Sequence, residues 1–139
     1  MGEGVTKRSP AQGTVGKAAV LLSLAVQDVR RNHGVAVGEE TAIHLLEGGI
    51  EDARTHRDVS ERTFRHQIER TGATVSDLLT SLRVAASIRF LGAKVPMNVA
   101  ARYLGFGDVT AYRRFLRHVF NTDVRSLRRE VRDGKNEET

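Results

Sequence analysis

The chain has 139 residues, with 22 Lys and Arg against 17 Asp and Glu for a net charge of +5, and no cysteine. That length suits one ordinary domain or two very small ones, and the missing cysteines exclude disulfides and thiolate metal sites. The longest apolar run, residues 18–26, is too short to cross a bilayer. The excess charge is carried by arginine, since the only lysines are Lys7, Lys17, Lys94 and Lys135. Arginine suits phosphate contacts and bidentate reading of guanine. The charge is also focused. Arg102, Arg113, Arg114, Arg117, Arg125, Arg128, Arg129 and Arg132 face only Asp108, Asp123 and Glu130, whereas residues 1–47 are neutral. Such focusing is the electrostatic footprint expected of a nucleic-acid binder.

Two prolines and an abundance of Ala, Leu, Arg and Glu favour an all-helical chain. Residues 1–13 lack apolar patterning and are expected to be a disordered tail. Ala18, Leu21, Leu22, Ala25, Val26 and Val29 then recur at helical spacing, which predicts a helix over Val15 to Asn32 stopped at His33-Gly34. Lys7 and Arg8 ahead of this run, with Ser23-Leu24-Ala25 at its end, mimic a secretory leader. The unbroken helical spacing into Val29-Arg30-Arg31 argues against one. The stripe is expected to pack on the first of the two helical units that follow it, or to form a dimer or partner surface.

Glu39 to Glu47 reads as a second helix stopped by Gly48-Gly49, and Ile50 to Arg57 as a short third. Ser60 is the N-cap expected for a fourth helix, which Gly72 stops. Leu78, Leu79, Leu82, Ala85, Ala86, Arg89 and Phe90 predict a long helix from about Val75 to Leu91, roughly 25 Å at 1.5 Å per residue. Arg83 and Arg89 on it are expected to pair with acids such as Asp77. Pro96 suits the start of a short helix to Tyr103. Gly105 and Gly107 are expected to make a sharp turn, Phe106 to plug the space between crossing helices, and Asp108 to cap a helix running to Phe120. A final short helix covers Val124 to about Val131.

Two segments share one layout. In "IEDARTHRDVSERTFRHQI" a short helix with a small residue, Ala53, leads through a turn to a longer helix with Phe64 and Ile68 inward. In "MNVAARYLGFGDVTAYRRFL" the same plan uses Ala100 and Ala101, then Tyr112 with Phe115 or Leu116 inward. This is the helix-turn-helix plan, in which the second helix stands clear and enters a major groove. Grooves on one DNA face repeat about every 34 Å. A linker helix of the expected length, plus the half-widths of the units, lets one chain span two of them.

These motifs resemble the DNA-binding domain of the AraC/XylS family of bacterial transcription regulators, over about residues 39–129. Ala101, Gly105, Phe106, Asp108, Tyr112, Arg114 and Leu116 carry the resemblance in the second unit, and Ser60, Arg62, Thr63, Phe64 and Arg65 in the first. The resemblance implies groove contacts from Arg62, Arg65 and His66, and from Val109, Thr110, Arg113 and Arg114. Ser60, Arg117, Arg128 and Arg129 are expected at phosphates. Two departures stand out. Asn121 and Val124 replace the family's usual Gly and Pro, and Arg57-Asp58-Val59 replaces its usual Leu-Gly-Val turn. Only 38 residues precede the resemblance, so the chain is similar to the small stand-alone members.

The expected fold is therefore all-α: two helix-turn-helix subdomains joined by a long linker helix, with an extra N-terminal helix. The boundaries are 1–13 for the tail, 14–38 for the N-terminal helix and loop, and 39–74 for the first unit. The linker follows at 75–92, the second unit at 93–131 and a polar tail at 132–139. The expected function is sequence-specific double-stranded DNA binding and transcription regulation in the bacterial cytoplasm, at the nucleoid, by a monomer rather than a dimer. RNA polymerase is the further candidate partner. The alternatives are an adaptor that holds RNA polymerase or another regulator without strong DNA binding, and a nucleoid-type binder without sequence preference. The five histidines are scattered without tight ligand spacing, and no catalytic arrangement is present. No enzyme activity, metal, cofactor or membrane association is expected.

Overall fold

The computed structural model describes residues 10–33, 37–121, 126, 127 and 129, and among them there are helices and turns but no strand. The helices are α1 (Pro10–His33), α2 (Glu39–Arg57), α3 (Glu61–Glu69), α4 (Val75–Gly92), α5 (Met97–Tyr103) and α6 (Val109–Phe120). Helix α1 begins at Pro10, upstream of the expected Val15, so residues 10–13 of the presumed tail are helical. Proline suits a helix start because its missing N–H has no partner there in any case. Residues 1–9 and the polar tail at 132–139 lie outside the described residues. So does much of the expected last helix, although Ser126, Leu127 and Arg129 are helical and Leu127 is buried.

Helix α2 is two limbs. Gly49, at φ 76° and ψ −166°, interrupts it between the segments expected from the sequence. Asp58 closes the second limb in the left-handed conformation, φ 58°, and its N–H bonds the Arg54 and Thr55 carbonyls. Ser60 then caps α3, accepting a hydrogen bond from the Thr63 N–H at 3.1 Å. Ahead of α4, Thr74 and Asp77 form a reciprocal box: each side chain accepts the other's backbone N–H, at 3.0 and 3.1 Å.

The core lies where α1, α2, α4 and α5 meet. The predicted stripe of α1 is buried at Ala18, Leu22, Ala25, Val26 and Val29. It packs chiefly on α4, and also reaches α2 and α5. Burying Leu22, Val26 and Val29 contributes roughly 1.5–3 kcal/mol each relative to leaving them in water. Polar ties at the edges fix its direction. Ser23 donates to Glu39 at 2.8 Å, and the Lys17 ammonium donates to the Ala93 carbonyl at 3.0 Å. Arg89 bonds both oxygens of Asp28, at 2.7 and 3.1 Å. Asp77, the partner expected for the α4 arginines, is instead occupied by its own helix cap.

Two helix pairs flank α4. The second limb of α2 turns into α3, whose Phe64 and Ile68 are buried; α5 turns into α6, whose Tyr112 and Leu116 are buried. Helix α4 grips the second pair directly. The Tyr112 hydroxyl donates to Ser87 at 2.8 Å inside the core, and Arg83 Nε donates to the Leu104 carbonyl at 3.0 Å.

Candidate nucleic-acid interface

The turn from α5 to α6 begins at Leu104, which is buried. Gly105 follows with φ 81°, a conformation L side chains rarely adopt. It also lies directly against the Leu46 carbonyl oxygen of α2, so that a Cβ there would overlap it. Gly107 has neither a positive φ nor a neighbour within 4 Å of an added Cβ, so of the two expected turn glycines the geometry requires only Gly105. Phe106 is half-buried and packs its ring on Tyr112 and Phe115, with centroids 5.2 Å apart in both cases. The Arg83 guanidinium lies over the Phe106 ring, 4.3 Å from its centroid. Burial lowers the Arg83 pKa from its ordinary value, but a guanidinium keeps its charge at any working pH.

The Asp108 carboxylate then accepts the Ala111 N–H at 2.8 Å and starts α6. Asn121 ends the helix in the left-handed conformation, φ 55°, in the place where the resembling family has glycine. With Tyr112 and Leu116 buried, the other face of α6 is left in water. Thr110, Arg113, Arg114 and Arg117 are all exposed, and Val109 is half-buried at the first turn. Their spacing of three and four residues makes one stripe. Among the described residues no acid lies within ion-pair distance of Arg113, Arg114 or Arg117.

In the first pair, the cap residue Ser60 and Arg62, Arg65 and His66 of α3 are likewise exposed. This face is less purely basic. Arg65 Nε lies 3.0 Å from Glu61, and Glu69 stands on the same open groove as Arg62 and His66. An exposed ion pair of this kind is worth little and exchanges readily with a phosphate. Arg129 is exposed and helical, and Arg128 lies outside the described residues.

Two polar residues outside the expected contact set, Arg102 having counted only toward the basic cluster, stand near the start of α6. Asn98 and Arg102, one turn apart on α5, line a groove with Gly107, Asp108 and Val109. Their i, i+4 spacing was visible, but their position beside the neighbouring helix was not. A second group was missed as well: His44, Glu47 and Asp52 bring one ligand atom each to within 4.8 Å of one another.

A glycine turn seated against a core carbonyl, followed by a capped helix with one buried and one arginine-lined face, defines a helix-turn-helix DNA-binding protein. Residues 55–130, more than half of the chain, match the helix-turn-helix domain family of the AraC type, and the chain belongs to that family. It is a DNA-binding transcription regulator. No curated protein and no solved structure matches it significantly. No described helix is long and apolar enough to cross a membrane. The match begins in the second limb of α2, so α1 and the first limb lie outside it.

Proposed function

We propose that this regulator binds a specific double-stranded DNA site as a monomer and reads two successive major-groove segments, one with α3 and one with α6. The observation that carries this reading is the α6 stripe, with three exposed arginines that find no acid among the described residues on a helix anchored from behind. An uncompensated row of guanidinium groups is destabilised by self-repulsion in the free protein and relieved at a phosphate backbone. Val109, Thr110, Arg113 and Arg114 take the groove contacts in the second pair, and Arg62, Arg65 and His66 in the first. Arg117, Arg128 and Arg129 take phosphates. Ser60, whose hydroxyl already caps α3, sits at a helix N-terminus suited to an anion. Helix α4, about 27 Å long by its 18 residues, spaces the two readers within reach of a 34 Å groove repeat.

Equilibrium binding to a random duplex pool over a salt series, with sequencing of the bound fraction, tests this. The expected result is a steep salt slope and an enriched site whose two halves lie about one helical turn apart. Arg114→Ala should then lose about 1–3 kcal/mol of binding and relax the preference at one position. A steep slope without an enriched site would indicate a packaging protein. Negligible binding at low salt would favour an adaptor that holds RNA polymerase or another regulator.

A further inference from the structure

Gly48 and Gly49 bend the two limbs of α2 toward each other, and three potential metal ligands meet at the bend. In a straight helix His44 and Asp52 would stand about 12 Å apart along the axis. Here His44 Nδ1 and Asp52 Oδ2 are 3.0 Å apart. The bend achieves this through both glycines. Gly49 takes the positive φ of 76° that breaks the helix. Gly48 leaves room for the returning side chain, since a Cβ on it would lie 2.5 Å from the Asp52 Cβ. Glu47 stands one turn from His44, and its carboxylate lies within 4.8 Å of the other two ligand atoms. His56, from the second limb, stacks on the His44 ring with centroids 4.3 Å apart and planes at 26°. That stacking restricts the rotation of the His44 ring.

We propose that His44, Glu47 and Asp52 form a site for a divalent first-row transition ion, of the Zn²⁺ type, that pins the two limbs of α2 together. Ligand atoms about 2.1 Å from a tetrahedral ion lie roughly 3.4 Å apart, so the His44 and Asp52 atoms, 3.0 Å apart, need to open by only a few tenths of an ångström to take one between them. A rotamer change of the exposed Glu47 closes the remaining distance. One imidazole and two carboxylates suit such an ion and leave positions for water. Glu47 also lines the groove that holds Asn98, Arg102, Asp108 and Val109. An ion at the bend therefore neutralises negative charge beside the start of α6. This consequence rests on the DNA-binding reading, and the ion site does not: occupancy raises the affinity for DNA.

The test is a Co²⁺ titration of the metal-free full chain, followed by its visible absorption and by displacement with Zn²⁺, alongside His44→Gln and Asp52→Asn. Both positions are partly exposed, and thermal melts establish that the variants fold. The expected result is one ion per chain, unaffected by excess Mg²⁺, with binding at least about tenfold weaker in each variant. No binding at about 1 mM Co²⁺, or equal binding by wild type and both variants, would overturn the site and leave an ordinary His–Asp hydrogen bond. The same protein is then titrated onto DNA with and without Zn²⁺. Ion binding with unchanged DNA affinity would overturn the coupling alone, whereas ion binding with no DNA affinity at all would overturn the DNA reading.

Discussion

Replacing Gly105 with Ala perturbs the turn in two separable ways. The first is conformational: holding an L residue at φ 81° costs about 1–2 kcal/mol. The second is steric. The added methyl overlaps the Leu46 carbonyl oxygen, a backbone atom in a packed helix that no rotamer change can move. Overpacking of this kind costs typically about 1–3 kcal/mol once the neighbours have shifted. Together these predict a loss of about 3 kcal/mol, or roughly 10 °C in Tm for a chain of this size. Gly107→Ala is the internal control, because nothing lies within 4 Å of its added Cβ and its φ is not positive. It should stay within about 0.5 kcal/mol of the parent. Urea denaturation followed by circular dichroism measures both. A Gly105→Ala loss below about 1 kcal/mol, matching that of Gly107→Ala, would refute the seating of the α5–α6 turn against α2.

Arg83→Ala removes a charge-assisted hydrogen bond to the Leu104 carbonyl and a cation lying over the Phe106 ring. A loss of about 2 kcal/mol in urea denaturation is expected, together with weaker DNA binding although Arg83 lies behind the reading helix; unchanged stability would mean the bracket contributes nothing. Asp28→Asn tests the tie between α1 and α4. The Arg89 hydrogen bond, with the nearby Arg89 and Arg31 charges, holds the Asp28 carboxyl below the ordinary carboxylate range against the opposing effect of burial. A carboxyl with a depressed folded-state pKa stabilises the protein above its unfolded pKa of about 4 and loses that contribution as the pH falls through the folded value. Asp28→Asn should therefore cost about 1 kcal/mol at pH 7, discounted for the pair's partial exposure, and almost nothing near pH 2. Melts at both pH values check it, and a difference that persisted in acid would count against the assignment.

Much of this protein is legible along the chain because its signals are local. Helical spacing, the Ser60 and Asp108 caps, the break at Gly48-Gly49 and the left-handed Asn121 all depend on groups within about four residues of one another. That range is enough to set the helix pairs in order and to leave Thr110, Arg113, Arg114 and Arg117 on one face. The partners of the helices are a different matter. Arg89 finds Asp28 from 61 residues away because α1 lies along α4, and the nearer Asp77 is consumed by a helix cap. Gly105 and Gly107 look alike in sequence, and only the folded turn distinguishes them, by the positive φ of Gly105 and the approach of the Leu46 carbonyl to it. His44 and Asp52 meet only because α2 bends. Periodicity states which side of a helix is buried, since that follows from the backbone's own repeat. Crossing angles and close approaches arise from the packing of whole surfaces, and they decided which element covers α1, what holds the α5–α6 turn, and which polar groups come together.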